Sequence, residues 1–188
     1  MTSVAFQGGA DHGRLAARRL VEKTRLILAA TNSPDELCMY IAASDFLDAV
    51  YVASESLRRD HVGPRSFFED LRLVEGGREV IGLRYLRGPS VHESVVVQDF
   101  TDRVSNVFYD HFGMWAWAQG TTAAGGRPAN RQDYEESVGG REIHLVVVRA
   151  YKCLRTKLRR SADDVLDVAD LLPFGGRSAG TWSSGTGV

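Results

Sequence analysis

Arg87 and His92 lie in the stretch GLRYLRGPSVHESVVV, residues 82 to 97, and are the residue types from which metal-free RNA cleavage can be built. Such cleavage needs a base to remove the 2'-hydroxyl proton and an acid to protonate the leaving oxygen. It also needs a cation to stabilise the charge that builds on phosphorus. A histidine titrating near pH 6.5 can move protons at neutral pH, and the planar fork of arginine matches phosphate oxygens without ever losing its charge. Two copies of the pair across a two-fold axis would place two imidazoles over one groove, so a dimer could work with this minimal motif. On an unbroken helix the five-residue step would set Arg87 and His92 about 140° apart. Gly88-Pro89 interrupts that step: Pro89 has no amide proton and its ring would clash with the Tyr85 carbonyl in a continuous helix. The break either brings the two side chains together or separates them.

Other chemistries have less support. His12, His61, His92, His111 and His144 are scattered, with no HExxH or CxxC spacing, so no metal site is expected. Glycine loops of the GxGxxG and Walker A types are absent, as is a nucleophile elbow, and no cofactor is expected. Two weaker candidates remain. Arg155, Lys157, Arg159 and Arg160 gather at a helix end, where they could track RNA or simply complement the helix dipole as a solvated terminus. Trp115 and Trp117 could present an interaction surface for bases or a protein partner, or pack a short ribbon against the domain.

Helices must position these residues. GRLAARRLVEKTRLILAATN places Ala16, Leu20, Thr24, Ile27 and Leu28 on one face, which predicts a first helix over 13–30. SPDE then offers Ser33 as N-cap, Pro34 at the first helical position and Glu36 to close a capping box. The stripe Leu37, Tyr40, Ile41, Ser44, Leu47, Tyr51, Ser54 and Leu57 carries this second helix to about residue 60, where HVGPR ends it. Ser66 and Glu69 repeat the capping logic, and Phe67, Leu71, Val74, Ile81 and Tyr85 form the stripe of a third helix with a kink or a close helix contact at Gly76-Gly77.

After residue 93 valines and aromatics replace the helical period, and MWAW reads as part of a two-stranded ribbon or an ordered aromatic loop. GTTAAGGRPANRQD reads as loop, with Tyr134 packing at the start of the next helix. Ile143, Val147, Ala150, Leu154 and Leu158 mark that helix. His144 lies beside its apolar stripe, and Ser161 caps a short last helix that stops at Pro173. The expected fold is mainly α: an up-and-down bundle of about four helices with a small β-like aromatic insert and a short C-terminal helix. One domain would span 1–174, with the insert at about 93–132, followed by a flexible tail over 175–188.

The whole-chain balance constrains the partners. With 23 Lys and Arg against 24 Asp and Glu, no net field draws the 188-residue chain to nucleic acid or membrane, so an RNA site must be a local patch. Cys38 and Cys153 fall in helical patterns and read as buried thiols of a reducing, cytoplasmic setting. No apolar run approaches a membrane span, and the N-terminus lacks the pattern of a secretory signal.

Arg87 and His92 after two antiparallel-looking helices, with EIHLVVVRAYKCL to close the bundle, resemble the motif of the HEPN superfamily. Those helical-bundle proteins carry Arg, four to six residues, then His near the junction of two late helices. The chain resembles in particular uncharacterised actinobacterial HEPN-like proteins, through Tyr85-Leu86-Arg87, Trp115-Ala116-Trp117, and Tyr134 followed by Gly140-Arg141. The similarity runs over roughly residues 14 to 160. It implies a homodimer with metal-independent RNA endonuclease activity of the toxin or defence type, Arg87 binding phosphate and His92 transferring protons, and it admits an antitoxin as partner. Gly88 stands where active members commonly have a polar residue, and Ser94 stands where one toxin group has tyrosine. These departures keep a second reading open, a non-catalytic bundle acting through protein contacts.

Overall fold

The computed structural model describes residues 8–33, 35–61, 63, 66–87, 97–99, 115–118 and 128–158. Within them the chain is mainly helical. The order is α1 (Gly8–Ala30), α2 (Glu36–Asp60), α3 (Phe67–Arg72), α4 (Gly77–Leu86), β1 (Val97–Asp99), β2 (Trp115–Trp117), α5 (Pro128–Ser137) and α6 (Ile143–Leu158).

Helix α1 buries Ala16, Leu20, Thr24, Ile27 and Leu28, the face its periodicity predicts, and packs against α2 and α6. Thr24 is tolerated in this core because its hydroxyl donates to the Leu20 carbonyl at 2.7 Å. At the start of α2 the cap differs from the expected capping box. Asp35 is the N-cap and its carboxylate accepts the Cys38 N–H at 3.0 Å, while Ser33 only accepts the Asp35 N–H. A carboxylate at the cap also faces the positive end of the helix dipole, an interaction a serine hydroxyl cannot match.

The buried face of α2 is also rotated from the expected stripe. It runs through Met39, Ala42, Ala43, Phe46, Leu47, Ala49, Val50 and Ala53, whereas Leu37, Tyr40 and Ile41 are exposed. Four alanines on this face admit close approach of neighbouring helices, and that packing outweighs the larger side chains on the other side. Cys38 is correspondingly exposed, and only Cys153 is a buried thiol. Contrary to the expectation of no span-like segment, α2 is long and apolar enough to cross a membrane, yet half of that stretch lies inside the fold.

The expected third helix is two helices. Gly76 takes φ +79° and ends the turn between α3 and α4, and a side chain there would overlap the Arg149 carbonyl of α6. Ser66 precedes α3 without capping it, because its hydroxyl donates to the Gly63 carbonyl at 2.9 Å. Helix α4 then reaches α2, α5 and α6. The α4–α5 approach is close at Gly82, where a Cβ would stand 2.7 Å from Val138 Cγ2 and 2.9 Å from Tyr134 Cα.

Helix α5 occupies part of the segment expected to be loop. Pro128 opens it, a position where the missing N–H costs nothing, and its exposed side is tied by Arg131–Glu135 and Gln132–Glu136 pairs one turn apart. Tyr134 therefore belongs to α5 rather than to the start of α6, and its hydroxyl donates to the Ala118 carbonyl. Asp133, buried, takes Arg72 of α3 at 2.8 Å.

The strands β1 and β2 pair antiparallel with Val97 opposite Trp117, Gln98 opposite Ala116 and Asp99 opposite Trp115. Backbone bonds from Trp117 N–H to the Arg141 carbonyl (3.0 Å) and from Gly140 N–H to the Trp117 carbonyl (2.9 Å) join this ribbon to the α5–α6 turn. Trp115 Nε1 donates to the Ser33 carbonyl at 2.9 Å and fastens its other side to the α1–α2 turn. Helix α6 closes the core with Ile143, Val147, Ala150 and Leu154 fully buried.

Candidate functional site

Arg87 is the C-cap of α4, and its backbone N–H bonds to the Leu83 carbonyl at 3.1 Å. Its side chain lies across α2. Nε donates to Asp48 Oδ1 at 2.7 Å, and the guanidinium carbon stands 4.1 Å from the centre of the Tyr51 ring. Hydrogen bond and ring together fix the plane of the guanidinium while leaving the side chain 38 % exposed. The other oxygen of Asp48, Oδ2, is 4.0 Å from the Arg19 guanidinium of α1. Asp48 is thus approached by cations from two different helices. One turn along, Lys23 of α1 holds Asp45 at 3.0 Å.

Arg84 also approaches Tyr51 and stands between α2, α3 and α4. It pairs with Glu55 at 2.5 Å, donates to Ser54 Oγ, and lies 4.7 Å from the Tyr51 ring and 5.1 Å from the Phe68 ring. Arg58 adds a second guanidinium to Glu55 at 2.8 Å. Burial pushes the Arg84 pKa down, against the pull of Glu55. For Glu55, burial raises the carboxyl pKa, but the hydrogen bonds from Arg58 and Arg84 together outweigh it and leave the group below its ordinary value.

The two arginines of α4 therefore differ in role. Arg84 is a buried strut, and Arg87, one turn later, is a positioned cation that solvent can reach. Sequence reasoning found Arg87 but missed Asp48, Tyr51, Arg84 and Glu55. The available signal was the spacing Asp48, Tyr51, Glu55 on one face of α2 against Arg84 and Arg87 on one face of α4.

His92, Gly88 and Pro89 lie outside the described residues, as do Arg159, Arg160, the segment from Ser161 to Pro173 and the tail over 175–188. Of the basic cluster, Arg155 donates to Tyr151 Oη at 3.2 Å, and Lys157 is exposed. Trp115 and Trp117 are 6 % and 0 % exposed, because the ribbon turns both rings into the core. His144 is half-buried 3.4 Å from Glu142, and burial lowers its pKa while Glu142 acts in the opposite sense.

A separate open cleft of about 220 Å³ lies where the ends of α2, α3 and α6 meet. Leu57, Phe67, Leu71 and Val74 give it an apolar lining, and His61, its Nε2 3.0 Å from Asp70 Oδ2, stands with Lys157 among its polar residues. Among the described residues no three His, Cys, Asp or Glu side chains converge in a way that could hold a metal ion.

No family model matches the chain, and neither a curated protein nor a solved structure is significantly similar to it.

Proposed function

We propose that this chain is a HEPN-like, cytoplasmic homodimer that cleaves RNA without metal or cofactor, Arg87 binding the phosphate and His92 transferring protons. In this reading α1, α2, α4 and α6 are the up-and-down bundle, the ribbon is its insert, and Arg155, Lys157, Arg159 and Arg160 extend the RNA track. The observation that supports it is the state of Arg87, a half-exposed guanidinium already held by Asp48 and Tyr51 five residues before His92. A cation fixed in advance loses little side-chain freedom when phosphate arrives. One His92 would take the 2'-hydroxyl proton as the 2'-oxygen attacks phosphorus. The partner copy's imidazole would protonate the departing 5'-oxygen, leaving a 2',3'-cyclic phosphate and a 5'-hydroxyl.

The test is incubation of the purified protein with total RNA in EDTA, wild type beside His92→Ala and Arg87→Ala. Loss of an acid–base group is expected to slow cleavage by about 100-fold or more. Equal cleavage by wild type and His92→Ala would end this reading.

A second reading is a non-catalytic bundle that acts through protein contacts. Leu37, Tyr40 and Ile41 favour it, since they leave an apolar strip exposed at the start of α2. Absence of RNA cleavage by folded wild-type protein would turn the assignment to this class.

A further inference from the structure

We infer that Arg19 and Arg87 together form a phosphodiester-binding site on the outer face of α2, with the Asp48 carboxylate standing where the phosphate would sit and restraining its binding. The choice of ligand rests on the RNA reading above, while the geometry does not depend on it. Asp48 divides its oxygens between two helices, Oδ1 to Arg87 of α4 at 2.7 Å and Oδ2 towards Arg19 of α1 at 4.0 Å. A phosphodiester presents two non-bridging oxygens to two guanidinium groups in the same way, and arginine is the side chain whose fork suits both anions.

The three side chains are 38 to 45 % exposed, so an incoming anion reaches them without any core rearrangement. Ion pairs this exposed are weak, which makes the internal carboxylate a displaceable occupant. The ring of Tyr51, 4.1 Å from the Arg87 guanidinium carbon, would still hold the side chain with the Asp48 charge gone. Removing that charge leaves two positive groups facing one opening where there had been two against one negative. Arg19 thereby becomes a second phosphate cation, supplied by a helix far from the Arg87–His92 segment in sequence.

The test is binding of a fluorescein-labelled oligoribonucleotide with every 2'-hydroxyl methylated, so that cleavage cannot contribute. Asp48→Asn is expected to tighten binding about fivefold, the scale of one exposed ion pair. Arg19→Gln should weaken wild-type binding by a similar factor and flatten the dependence of log Kd on log salt by about 0.7, one strand phosphate contact. Arg131→Gln, on the exposed side of α5, should change neither. Folded Asp48→Asn that binds no tighter overturns the inference; should that variant not fold, Arg19→Gln with wild-type affinity overturns it instead. Inorganic phosphate binding without oligonucleotide binding would also overturn it.

The outcomes separate from those of the cleavage reading. Tightening in Asp48→Asn without His92-dependent cleavage keeps the site and removes the nuclease. His92-dependent cleavage with no change in Asp48→Asn does the reverse.

Discussion

Arg84 of α4 and Glu55 of α2 meet at 2.5 Å with side chains only 11 % and 16 % exposed. The pair joins two helices at the point where both also carry the candidate site. Removing Glu55 would leave the Arg84 guanidinium buried without its carboxylate, whereas Glu55 would still hold Arg58 if Arg84 were lost. Glu55→Ala is expected to destabilise the protein by about 3 kcal/mol, measured by urea denaturation, and an unchanged midpoint would show that water replaces the carboxylate.

The same carboxylate sets an acid limit. Its folded pKa lies below the ordinary value of 4.5, so the stability it contributes is fully present above about that pH and is lost as pH falls through the folded value. The stability gap between wild type and Glu55→Gln should be constant near neutrality and close in acid. A gap that instead widens below pH 4.5 would contradict this assignment.

Gly82 is where α4 and α5 touch. Gly82→Ala would press a methyl group against Val138 and the Tyr134 backbone, and the backbone part of that contact cannot move cheaply. The expected destabilisation is about 2 kcal/mol despite the higher helix propensity of alanine, seen as a lowered Tm. A raised Tm would mean that the helices can part without loss.

The two cysteines should react on very different timescales. Cys38 is exposed near the start of α2, whereas burial raises the Cys153 thiol pKa to about 11. Thiolate is the reactive form, so one thiol should titrate quickly with Ellman's reagent in native protein and a second only after denaturation. Rapid reaction of both would place Cys153 in contact with solvent.

If Leu37 and Ile41 form the contact between copies of a dimer, charge there should dissociate it. The double variant Leu37→Asp with Ile41→Asp is expected to keep its helical circular dichroism, since both side chains are more than half exposed, and to sediment as a monomer where the wild type is a dimer. A dimer that survives both charges assembles through another face.

Helix content was readable where one face alone is apolar. Ala16, Leu20, Thr24, Ile27 and Leu28 in α1, and Ile143, Val147, Ala150 and Leu154 in α6, leave no competing stripe. In α2 two faces compete, and periodicity favours the larger Leu37 and Ile41, whereas close packing of helices selects the alanines. Helix α5 escaped notice because Asp133 and Tyr134 are its few buried anchors near a charged exterior, Val138 lying just past its end. Of the site, Arg87 was visible as part of a motif. Asp48 and Tyr51 were not, because what makes them partners of Arg87 is the lateral packing of α2 on α4, a contact between residues far apart in the chain.

The α4–α5 contact has a consequence for the order of folding. Helices α1 and α2 are joined by a short turn and can pair as a local hairpin. For α4 to reach α5, a sequence separation of about 40 residues must be closed, an entropic outlay of about 3 kcal/mol. The rate-limiting barrier should therefore be crossed with the α1–α2 hairpin largely formed and the α4–α5 seam still open. Ala43→Gly, within helix α2 of that hairpin, should slow folding, while Gly82→Ala, at the seam, should chiefly accelerate unfolding. Stopped-flow chevrons with the two effects exchanged would place the seam in the nucleus.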